Sequence, residues 1–178
     1  MWQAVLHLTR FSRPALSIPS GNCSVSQPNA PPSYTTICLR IFIFRGEPDV
    51  YYRRHVLCYF TSPTNRNFHE TVRVQRENDQ CPWKVDPVHD EMDWTLSVRY
   101  IGHVNAGCFM MPQGEEMMLV DIVSKTPVTD KEYNSDWNCL NFVLEGLGQI
   151  VSNGLQTQEW YDRVEKELID KLVDGSVP

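Results

Sequence analysis

Ile37-Cys38-Leu39-Arg40-Ile41-Phe42-Ile43-Phe44 is the stretch on which the fold turns. β-Branched and aromatic side chains fill it, Gly46 closes it, and neither alternating face is polar. A strand apolar on both sides has no face to give to water, so it is predicted to be central in a sheet. Two more runs follow. Arg54 to Phe60 leads into the turn signals Ser62-Pro63 and Asn65, and Phe68 to Val74 resumes the pattern, which predicts an antiparallel hairpin with a longer loop. Residues 78–93 contain prolines and read as irregular. Trp94 to Tyr100 then alternates with period two and predicts a half-buried strand with Trp94, Leu96, Val98 and Tyr100 on its apolar face.

Beyond this point the period changes. Glu115 to Lys125 predicts a short helix stopped before Pro127, and Asp136 to Ser152 predicts a helix capped by Ser135 or Asp136 and ended near Gly154. On that helix Cys139, Phe142, Val143, Leu147, Ile150 and Val151 recur at three- and four-residue steps and form the inward stripe. A last helix over Thr157 to Val173 sets Trp160, Val164, Leu168 and Leu172 on one face. Strands first and helices after give an α+β fold, a small antiparallel sheet packed against helices.

The chain has 178 residues, 42% of them hydrophobic, enough for one core, and the prediction is a single domain over residues 37–178. Residues 1–36 contain no acid, since the first is Glu47, and Ser, Pro and Asn crowd them from Ser12 onward. They read either as a disordered tail or as a mitochondrial presequence, the latter from Trp2, Leu6, Leu8, Arg10 and Arg13. Cytoplasmic residence is the expectation, with the mitochondrion as the alternative. A net charge of −6 argues against nucleic acid or an anionic membrane as partner. No apolar run approaches the roughly 18 residues of a spanning helix.

Six cysteines occur without a secretory signal before them, so they are expected as reduced thiols. There is no CxxC pair, and His103 with Cys108 is an isolated pairing; neither a metal nor a cofactor is expected. Nothing in the pattern sets an oligomeric state.

The chemistry centres on Cys139. A thiol at a helix start faces backbone N–H groups and the positive end of the dipole, which can lower its pKa from about 8.5 to roughly 3.5–7.5. Asp136, within a turn of it, works in the opposite direction. A thiol nucleophile needs a base that can also return a proton, and imidazole does both. His55 and His69 lie on the two hairpin runs, where paired strands can bring side chains to one face. Asn138 offers either a polar contact or only a turn.

Leu39 to Pro48, Tyr52-Arg53-Arg54-His55, Phe68-His69 and Asp136-Trp137-Asn138-Cys139-Leu140-Asn141-Phe142-Val143, in that order, resemble an uncharacterised family of small fungal proteins marked by Trp-Asn-Cys-x-Asn-Phe/Trp-Val. The match covers roughly residues 38 to 174. At one remove the order His then Asn-Cys-x-x-Phe-Val resembles the permuted papain-like, NlpC-like superfamily, which includes lecithin:retinol acyltransferase and the deSUMOylating isopeptidases. The resemblance implies a permuted papain-like fold with Cys139 as nucleophile, His55 as general base and acid, and His69 as the residue that orients the imidazole. Trp137, Asn138 and Leu140 would flank the substrate, although the family usually has Gln where Leu140 stands. The implied activity is that of a cysteine hydrolase or acyltransferase acting on a peptide, isopeptide or acyl substrate. The alternative is a non-catalytic binding or interaction module in which Cys139 is a small buried residue.

Overall fold

The computed structural model describes residues 33–78, 81–129 and 136–174. Its first strand, β1 (Tyr34–Phe44), begins before Ile37 and carries two buried faces. Ile37, Leu39, Ile41 and Ile43 point toward the helices, whereas Phe42 and Phe44 point to the other side. The strand is interior, as its pattern predicts: β1 lies between β2 (His55–Thr61) and β5 (Tyr100–Pro112), and β3 (His69–Gln75) and β4 (Lys84–Val88) complete the order β4-β3-β2-β1-β5. All neighbouring strands are antiparallel. The fold is therefore α+β, and among the described residues three helices, α1 (Met118–Ser124), α2 (Cys139–Ser152) and α3 (Gln158–Val173), follow the sheet.

The helices supply the main core. Cys139, Phe142, Val143, Leu147 and Ile150 of α2 and Trp160, Val164, Leu168 and Leu172 of α3 are buried against the strands, while Val151 is half-buried. α3 is anchored by a local irregularity in β5. Opposite Leu39 and Arg40 stand Gly107 and Asn105, so Ala106 is an extra residue in the ladder, a β-bulge. Gly107 takes φ 114°, open to glycine at little cost, and the Ala106 carbonyl accepts the Trp160 indole N–H at 2.6 Å.

Several expectations are corrected. Trp94 to Tyr100 is not a strand: Asp93 accepts the Thr95 N–H at 3.1 Å and starts a 3-10 turn over Trp94–Leu96. Leu96 and Val98 are 80% and 97% exposed, so the period-two alternation there has no buried face to serve. The true strand starts at Tyr100. The turn instead lays Trp94 over the second face of the sheet, edge-on to Phe44 at 5.9 Å, in a small cluster of Phe42, Phe44, Leu57 and Tyr59. β4 falls inside the stretch read as irregular, because Pro87 is tolerated on an edge strand. α1 and α2 each start three residues later than expected. Cys38 and Cys108, opposite each other on β1 and β5, form a disulfide, so the thiols are not all reduced; Cys58, Cys81 and Cys139 are free. The two readings of residues 1–36 concern a segment that, but for its last residues, lies outside the described residues, as does Ser135. Among the described residues no helix is long and apolar enough to cross a membrane.

Candidate functional site

The sheet forks at one end. The β2–β3 ladder runs from Thr61 opposite His69 to Cys58 opposite Val72 and stops. β2 continues along β1 to His55, and β3 continues along β4 to Gln75. In an antiparallel strand alternate residues direct both N–H and C=O to the same neighbour. The Arg54 carbonyl and the Val56 N–H therefore face the side that β3 has left.

Cys139 fills that gap. Its Sγ donates to the Arg54 carbonyl at 3.6 Å. The residue is 5% exposed and packs in the main core. Asn138 brings it there by starting α2: its Oδ1 accepts from Leu140 and Asn141, and its own N–H donates to the Asn141 side chain at 3.0 Å, a reciprocal cap. The polar contact offered by Asn138 is thus spent on the helix start, and Asn138, not Ser135 or Asp136, is the cap. Burial pushes the Cys139 thiol above its ordinary pKa, against smaller lowering effects from the Val56, Cys139 and Leu140 N–H groups. The thiol stays protonated at neutral pH. Cys58, wholly enclosed, is pushed to about 12 for the same reason.

A cleft of about 1190 Å³ opens around the fork. Cys139 and His55 both line it, together with Trp137, Asn138 and Leu140. They do so from opposite faces of β2. Val56 and Cys58 share the helix side with Cys139, whereas His55 stands opposite Phe44 and in line with Leu57, on the second face. Partial loss of solvent, then the charge of Arg99, hold the His55 imidazole below its ordinary pKa. His69 is not brought to either residue. It pairs with Thr61 at the far end of β2, six residues from His55 and so about 20 Å along the strand, and its ring bonds Tyr59 Oη at 2.9 Å and the Arg66 carbonyl at 2.7 Å. Trp137 is 3% exposed, gives its indole N–H to Glu145 at 2.8 Å and meets Trp83 edge-on at 5.5 Å. It forms the floor of the cleft more than its mouth.

Arginine dominates the remaining wall. Among the described residues, Arg45, Arg53, Arg54, Arg73, Arg76 and Arg99 line the cleft against only Glu47 and Asp136, with Tyr51, Tyr52, Trp83 and Trp94 among them. Most were passed over in the sequence, although Tyr51-Tyr52-Arg53-Arg54-His55 is an aromatic-basic run in an acidic chain. Arg54 is structural. It is 4% exposed, grips Asp49 through two bonds of 2.9 and 3.2 Å, and donates to the carbonyls of Leu172 and Asp174, both at 2.8 Å, at the C-terminus of α3. Its bond holds the Asp49 carboxyl below the usual carboxylate range. Among the described residues, no group of three or more His, Cys, Asp or Glu could hold a metal ion.

The two lowered groups set the response to acid. Below about pH 6.5 the unfolded chain takes a proton on His55 that the folded chain resists, and stability falls; at lower pH Asp49 adds a second loss as its ion pair with Arg54 is protonated. His55→Gln is expected to flatten the first limb and Asp49→Asn the second, read from urea midpoints between pH 8 and 3. Equal pH profiles for wild type and both variants would contradict the assignment. Compared with family models, with curated proteins and with solved structures, the chain has no match in any of the three.

Proposed function

We propose that the chain is a ligand-binding module whose cleft lies at the forked end of the sheet, with Cys139 serving the fold rather than chemistry. The observation that carries this reading is the buried thiol donating to the Arg54 carbonyl at the gap in the ladder. Its donor capacity is used by a backbone carbonyl that would otherwise be buried without that partner, at a cost of about 1–3 kcal/mol. The imidazole that would activate it stands on the other face of the strand.

A second reading keeps the enzyme. It is favoured by one observation, that Cys139 and His55 line one cleft with Trp137, Asn138 and Leu140 beside them. In this reading the fold is permuted papain-like, Cys139 attacks an ester, thioester, amide or isopeptide carbonyl, and His55 passes the proton once the end of β2 has turned its ring toward the thiol. The cytoplasmic setting expected for either reading sits poorly with the Cys38–Cys108 bridge, which is more at home in an oxidising compartment.

Site-resolved alkylation separates the two. In the binding module Cys81, half-exposed, is labelled first among the described free thiols, while Cys139 and Cys58 react only on unfolding. Cys139→Ser, which keeps a donor and an acceptor, should retain more stability than Cys139→Ala. Rapid labelling of Cys139 below pH 7 that slows in His55→Ala, with turnover of an ester or isopeptide probe, would replace this reading by the enzymatic one.

A further inference from the structure

The second-face wall of the cleft collects cations around one spot. Arg53 donates to the Glu47 carbonyl at 3.2 Å, and Arg99 donates to the Glu47 carboxylate at 3.1 Å, so both guanidinium groups meet at one residue. Arg99 is also the charge that His55 feels. Among the described residues, Arg53 pairs with no carboxylate and the His55 ring makes no hydrogen bond. The Arg99 partner, Glu47, is 85% exposed, and such a surface pair contributes only about 0–1 kcal/mol and is readily exchanged. The chain as a whole is acidic, so this local excess is not a consequence of composition.

Ring-shaped surface lies beside the charge. Phe44, opposite His55 in the ladder, packs edge-on against Trp94, and Tyr52 is 57% exposed on the rim. Among the described residues, the cations that line the cleft are all arginine. The planar guanidinium fork suits carboxylate and phosphate, and it also stacks on rings, as Arg76 does over Trp83 at 4.6 Å. Long polyanions are disfavoured by the net charge of −6, whereas a compact anion experiences mainly the local field.

We infer that this wall binds a small organic oxyanion joined to a planar ring, the chemistry of an aryl or nucleoside phosphate, with Arg53, Arg99 and His55 around the anion and the ring against Trp94 and Tyr52. The inference rests on the cleft being a binding site. A phosphate monoester brings two negative charges to two guanidinium groups, Arg53 with no carboxylate partner and Arg99 with only the exposed Glu47, and its ring covers apolar surface that solvent now reaches.

The test is titration of the full chain with phenyl phosphate, AMP, adenosine, inorganic phosphate and an oligo-glutamate peptide, read by calorimetry and by the Trp indole N–H signals in NMR. Phenyl phosphate and AMP are expected to bind at least tenfold more tightly than adenosine or inorganic phosphate, and more weakly as salt rises. R53Q/R99Q, both at exposed positions, should weaken them at least tenfold with Tm unchanged. Equal binding of AMP and adenosine, equal binding by the double variant, or binding of the peptide but not the small anions would overturn the inference. So would silence from every anion. A panel of uncharged aromatic fragments distinguishes the two levels: fragments that shift the Trp83 or Trp94 indole leave the binding reading intact, and fragments and anions that all leave the indoles unmoved overturn that reading as well.

Discussion

Arg54→Met is expected to lower stability by about 3–5 kcal/mol, equivalent to a fall in Tm on the order of 10 °C for a chain of this size. The guanidinium is almost wholly buried, and it serves two masters of opposite kind. It neutralises Asp49 with a two-pronged ion pair, and it caps the last carbonyls of α3, where the negative end of the helix dipole favours a cation. Methionine fills the volume and satisfies none of these acceptors. Lysine restores a charge but not the fork, so Arg54→Lys should recover less than half of the loss. Urea unfolding reads the energy, and carboxyl NMR reads the cause: in Arg54→Met the Asp49 titration should move back up toward the ordinary range. A loss below about 1 kcal/mol, with Asp49 unmoved, would mean that the cluster contributes little.

Gly46→Ala is the second large effect, and it acts through geometry alone. A Cβ on Gly46 would lie 2.1 Å from the Arg53 carbonyl oxygen and 2.5 Å from its carbon, distances no real contact reaches. The obstacle is backbone, so no side-chain rotation relieves it. Either the segment Tyr51–Arg53 retreats or the end of β1 does, at a cost of about 1–3 kcal/mol, the usual range for overpacking. The retreating segment carries Tyr51, Tyr52 and Arg53 on the cleft wall, so ligand affinity should fall together with stability. A variant as stable as wild type would show that the loop is freer than its packing implies.

The parts of this fold that could be read from sequence are those where one physical signal acts unopposed. Ile37 to Phe44 has apolar residues on both faces and nothing to break them, and α3 has a clean stripe behind a Thr157 cap. Trp94 to Tyr100 failed because alternation competes there with Asp93, whose side chain closes a turn before a strand can form. β5 was missed for the opposite reason: Gly102, Asn105 and Gly107 weaken its local preference, and its long pairing with β1 supplies what propensity does not. At the site, Cys139 at the start of α2 was legible from its neighbours. That its thiol would bond the Arg54 carbonyl was not, because the vacancy it fills is created by β3 departing from β2, a relation between segments some 80 residues away in the chain. The arginines gather for the same reason, from strand ends and turns that only the folded sheet brings together.

The fork also divides the sheet into blocks of unequal permanence. β1 is matched to β5 over eleven residue pairs and to β2 over seven, with the Cys38–Cys108 bridge inside the first set, whereas β2 meets β3 over only four. The hairpin of β3 and β4 is thus the cooperative unit that can open first, exchanging its amide protons without global unfolding. The cleft touches both blocks, since Arg73, Val74 and Gln75 stand on one and His55, Val56 and Leu57 on the other. An occupant held between them would act as a clasp across the weakest seam of the molecule, coupling occupancy to the breathing of half its sheet.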